Sequence, residues 1–163
     1  MTSNTLSHTR EQARACLIKL HPFVGSHQIA AMARGMQTGE RHSFYEQTCN
    51  LWQTIKAMPL VYGHGGPGDD AIVHLHYSYG DMHWFITERD EYTFQKQAFG
   101  YSYLGSKDTA KLGYISIKEL IYNQVSIDMN WQPRTLADCK LVLAQNRPKP
   151  VKTDFFNRHA IYD

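Results

Sequence analysis

The stretch that most constrains how this chain can fold covers residues 72–89, IVHLHYSYGDMHWFITER. Its β-branched and aromatic residues suit a pleated, half-buried surface, and their alternation with polar residues marks one buried face. Gly80-Asp81 is a two-residue turn signal, because glycine accepts the positive φ that a type II′ turn demands. That turn sets the register: Tyr79 opposes Met82, Ser78 opposes His83, Tyr77 opposes Trp84, His76 faces Phe85, Leu75 faces Ile86, and Val73 faces Glu88. One face then carries Val73, Leu75, Tyr77, Tyr79, Met82, Trp84 and Ile86 and is expected to be core. The other carries His74, His76, Ser78, His83 and Thr87, with Phe85 and Ile72 its apolar members. A slip of one residue would exchange the faces, so the pattern itself defends the pairing.

Around this hairpin the chain reads as alternating structural types. Thr9 and Gln12 have capping-box spacing, and Ala13, Cys16, Leu17 and Leu20 follow on one helical stripe that His21-Pro22 ends. Ser26 is expected to cap a second helix, with Gly39 as its stop. A third is expected over residues 40–57, ahead of Pro59. GHGGPGDD at 63–70 is a glycine-rich connection, but without the lysine or following helix of a phosphate-binding loop it is read as surface. Strands are expected at 98–105, 111–117 and 125–131, a short helix capped by Ser116, and a last helix capped by Thr135. The fold class is therefore α+β, an antiparallel β-meander of about four or five strands with N-terminal helices packed on one face. Residues 1–58 form the helical region, 59–140 the sheet domain and 141–163 a basic, proline-containing tail, all within one compact domain.

Composition removes several functions. The apolar fraction is 42% and the charged fraction 20%, which is ordinary globular usage and sets wholesale disorder aside. No apolar run is long enough to span a bilayer, and the polar start MTSNTLSHTR points to a cytoplasmic protein with no membrane partner. Cys16, Cys49 and Cys139 stand far apart, a pattern of buried reduced thiols rather than of a zinc knuckle. The net charge of +2 divides into +3 over residues 1–59, −3 over 60–140 and +2 over 141–163. Tyr77, Tyr79, Tyr101, Tyr103 and Tyr114 suggest a base-stacking sheet, but they lie in the acidic segment, so direct nucleic-acid binding is not expected.

Two kinds of chemistry remain to be weighed. His74, His76 and His83 fall on one face of the hairpin and could hold a metal with an open position, as in a metal-dependent hydrolase. No Asp or Glu shares that face to orient the rings, so no metal and no cofactor is favoured. No nucleophile elbow is present, and the carboxylates Glu88, Asp90 and Glu91 at a strand end read as a solvated turn rather than an acid–base pair. No catalytic residue is assigned. Glu88, Asp90, Glu91 and Tyr92, with Phe155 and Phe156 of the tail, are the candidate contacts for a protein partner, since interfaces concentrate energy in aromatics. The apolar tail residues could alternatively form a homodimer contact.

Residues 58–139 carry, in order, MPLVYG, AIVHLHYSYGDMHWFITERD, AFGYSYLG, LGYISIKEL and VSIDMNWQPRTLAD. In these motifs the chain resembles the DUF2958 family of mobile-element proteins, found on plasmids, phages and integrative elements near conjugation and anti-defence genes. GDMHWF departs from the family pattern of two glycines and an Asp directly before Trp, which leaves His83 outside it. The resemblance carries no catalytic residues. It implies a non-enzymatic accessory protein of a mobile element, acting in a bacterial host by binding a defence or nucleic-acid-processing complex, for example as an anti-CRISPR or antirestriction inhibitor. A nucleic-acid-processing accessory factor is the remaining alternative.

Overall fold

A computed structural model describes residues 7–61 and 68–146. Three helices come first: α1 (Arg10–Lys19), α2 (Ser26–Gly35) and α3 (Arg41–Ala57). The strands β1 (Ile72–Val73), β2 (Leu75–Tyr79), β3 (Met82–Glu88), β4 (Ala98–Leu104) and β5 (Lys111–Ile115) follow. Then come α4 (Ile117–Tyr122), β6 (Ser126–Ile127), β7 (Arg134–Thr135) and α5 (Leu136–Gln145). The sheet is antiparallel, in the order β5-β4-β3-β2-β6, and β1 and β7 form a separate two-stranded pair. The α+β class stands, with the N-terminal helices on one face of the sheet.

Local signals account for most element ends. Thr9 accepts a hydrogen bond from the Gln12 amide while the Gln12 side chain returns to the Thr9 amide, a complete capping box on α1. Ser116 and Thr135 cap α4 and α5 through the amides of Glu119 and Asp138. Ser26 does not cap α2. It is the first helical residue, Gly25 occupies the cap with no side-chain bond, and the helix stops at Gly35, ahead of Gly39. At the hairpin the five pairs from Tyr79 opposite Met82 to Leu75 opposite Ile86 form as the turn dictates, with Gly80 at φ +56.

The main core lies between the helices and one face of the sheet. Leu20, Val24, Ile55, Leu75, Tyr77, Ile86 and Ile117 are buried there, and Trp84 packs against them half-buried. The Tyr77 hydroxyl, fully enclosed, donates to the Phe23 carbonyl at 2.6 Å and ties the hairpin to the turn between α1 and α2. Burial of the neutral phenol pushes its pKa up. The Gln28 side chain exchanges two hydrogen bonds with the backbone of Ile127, covering the edge strand β6 with α2.

Three expectations about the hairpin are corrected. The strand breaks at His74, and Val73 pairs with Arg134 of β7 instead of Glu88. The break also moves Val73 out of the main core into a second cluster with Phe85, Leu136 and Cys139, where α5 covers the opposite face of the sheet. Tyr79 is 58% exposed, on the wall of an open cleft that it shares with Met82, Trp84 and Leu120. The strand expected over 125–131 shrinks to β6. The Asp128 side chain accepts from the Asn130 amide and turns the chain there. The last helix, α5, spans Leu136–Gln145, the run LADCKLVLAQ that Thr135 was expected to cap.

Candidate functional site

The hairpin's polar face is an aromatic stack. His76 Nε2 lies 2.9 Å from His83 Nδ1, and both rings stack on Phe85. Trp131 closes the stack from the side, its ring 4.9 Å from His76 and its indole N–H donating to the Val73 carbonyl. Arg134 covers the outer face of Trp131 at 4.2 Å. Desolvation, with the neighbouring His83 and Arg134, lowers the His76 pKa to about 4, and Asp128 opposes them. Asp128 Oδ2 is 3.8 Å from His76 Nδ1, too far for a hydrogen bond, so it acts through its charge. His83 and His74 are also lowered by burial, and Asp81 counteracts this at His83.

His74 does not join this pair. The strand break places it beside α3 and the loop after β6, in a cleft with Asn50, Thr54 and Asn130. Among the described residues no group of three His, Cys, Asp or Glu side chains is placed to hold a metal ion. The structure thus brings together two of the three candidate ligands, in a packed stack.

The acidic segment after β3 is organised differently from a solvated turn. Asp90 is 6% exposed, and its carboxylate accepts from the amides of Tyr92 and Gln97. Gln95, 2% exposed, accepts from the Asp90 amide and donates to the carbonyls of Asp90 and Tyr92. Its backbone holds φ +51, a conformation that L side chains avoid unless their surroundings enforce it. Asp90 is therefore an internal brace of the loop and not a surface contact. Glu88 is half-buried, and desolvation raises its pKa. Glu91 and Tyr92 are exposed as expected.

What this brace presents is apolar. Tyr92 is 72% and Phe94 67% exposed, and Lys118 lies over the Phe94 ring at 5.3 Å. Beside the loop runs a groove of about 320 Å³ whose walls include Ile18, Trp52, Arg89, Glu91 and Thr93. Ile18 is 70% exposed, Lys19 covers Trp52 at 5.5 Å, and the buried Arg89 Nε has no hydrogen-bond partner among the described residues. Backbone bonds between Arg89 and both Pro59 and Val61 fix the root of the loop to the end of α3. Phe94 and Gln95 escape a sequence reading because nothing in RDEYTFQKQ distinguishes a braced loop from a loose one. Its two aromatics amid polar residues were the available signal. Phe155 and Phe156 lie outside the described residues.

The chain matches no protein-family model, no curated protein and no solved structure. No helix among the described residues is long and apolar enough to cross a membrane.

Proposed function

We propose that this protein works without catalysis, by binding another protein through the 91–94 tip and the adjoining groove. The observation that carries the reading is the Asp90–Gln95 brace, which holds Tyr92 and Phe94 exposed on a backbone already fixed. Two large aromatics on an ordered loop lose little entropy on docking, so burying them yields affinity that a flexible loop would forfeit. Lys19, Arg89, Glu91 and Lys118 supply a polar rim around the apolar anchors. The resemblance of residues 58–139 to the DUF2958 family supplies the biological class. On that reading the protein is a mobile-element accessory factor, active in the cytoplasm of a bacterial host, that inhibits a defence complex of the anti-CRISPR or antirestriction type.

The test is affinity capture from a bacterial host with the full chain and with a Tyr92→Ala/Phe94→Ala double variant. The reading expects one stoichiometric protein retained by the natural chain and lost by the variant. Recovery of nucleic acid alone would instead favour a nucleic-acid-processing accessory factor.

A further inference from the structure

The fold brings together two cysteines that the sequence keeps far apart. Cys16 sits on the inward stripe of α1, and Cys49 is 1% exposed on α3. Both belong to one small cluster with Ala13, Met36 and Tyr45, in which Ala13 lets the two helices approach closely. Contacts climb the two helices in the same order. His8 bonds Glu46 at 2.6 and 2.8 Å, Cys16 and Cys49 pack into the shared cluster one turn further along α3, and Lys19 then covers Trp52. The register on either side of the thiol pair is therefore fixed. Both thiols are free in the structure, and Cys16 is partly open to solvent.

We propose that Cys16 and Cys49 form a thiol pair that hydrogen peroxide converts to an intramolecular disulfide, stapling α1 to α3. The Cys16 thiolate attacks one peroxide oxygen, the O–O bond breaks, and hydroxide leaves to become water. The product is Cys16 sulfenic acid. Cys49 loses its proton and its sulfur attacks the Cys16 sulfur. The S–S bond forms, the S–O bond breaks, and a second hydroxide leaves as water. Two thiols are oxidised by two electrons and one peroxide is reduced to two waters. Desolvation, with Cys16 and Glu46 adding to it, pushes the Cys49 pKa up, and Cys16, the more open of the two, is the thiol that peroxide reaches first. The staple joins the helices that carry Ile18 and Trp52, the helical wall of the groove. The chemistry itself does not depend on what the groove binds.

Mass spectrometry of the natively folded, reduced full chain after peroxide treatment tests this. The natural chain and Cys139→Ser are expected to lose the mass of two hydrogens and to yield a linked peptide containing Cys16 and Cys49. Neither change should occur in Cys16→Ser or Cys49→Ser. Oxidised protein should also melt roughly 5–10 °C higher than reduced protein. Oxygen addition at Cys16 without linkage, or linkage through Cys139, would overturn the proposal.

Discussion

His76 and His83 face each other across the hairpin, their ring nitrogens 2.9 Å apart and their planes within 12° of parallel. One N–H donates along this contact. If His83 is that donor, the remaining proton of His76, on Nδ1, faces the Asp128 charge at 3.8 Å and has no hydrogen-bond partner among the described residues. The pair is stable as two neutral rings, since adding a proton puts charge inside a stack that already has Arg134 over Trp131.

That arrangement makes stability depend on pH in a defined direction. The folded His76 pKa is about 4 and the ordinary value is 6.5, so between these values the unfolded chain binds more protons. Stability is therefore full above about pH 6.5 and falls as the pH drops towards 4, by no more than about 3 kcal/mol from this group. His74 and His83 act with the same sign. Urea unfolding at pH 7 and pH 4.5 measures the drop, and His76→Gln should reduce it. A pH dependence unchanged by that replacement would contradict this account of the stack.

The buried brace in the 89–97 loop is expected to order the exposed tip that it carries. Gln95→Ala removes three internal hydrogen bonds and leaves alanine at φ +51, so a loss of about 2–3 kcal/mol is expected. Hydrogen exchange at the Tyr92 and Gln97 amides should accelerate in the variant, because both donate to Asp90. Unchanged exchange there would show that the brace does not order the loop.

Gly100 lies opposite Ile86, where the backbone of β3 leaves no room for a side chain on β4. A Cβ at this position would overlap the Phe85 carbonyl, which is ladder backbone and cannot move aside. Gly100→Ala should destabilise the fold by about 3 kcal/mol or more. A thermal melt within two or three degrees of the natural chain would refute that close approach.

Much of this architecture was legible in the residues. Gly80 set the hairpin register, Thr9, Ser116 and Thr135 capped the helices they were expected to cap, and the 3.6-residue stripes placed the helical core. What escaped depended on partners distant in the chain. The break at His74 arises because Val73 takes Arg134 as its partner, and alternation within 72–89 carries no trace of β7. The early end of β6 reflects Asp128, whose amide donates to His76 and whose side chain turns the backbone. At the candidate site, the exposure of Glu91 and Tyr92 could be read from the sequence. Asp90 could not, because an aspartate in a polar run gives no sign that it is enclosed. The meeting of Cys16 and Cys49 follows from how α1 packs on α3, which periodicity does not specify.

The central claim is that Tyr92 and Phe94 anchor a protein partner, and affinity capture measured quantitatively tests it most directly. The Tyr92→Ala/Phe94→Ala variant should retain its fold by circular dichroism and bind the captured partner about 30-fold to 1,000-fold more weakly. Tyr122→Ala, which removes an aromatic that is 86% exposed on α4, should bind as the natural chain does. Equal binding by the double variant and the natural chain would contradict the account.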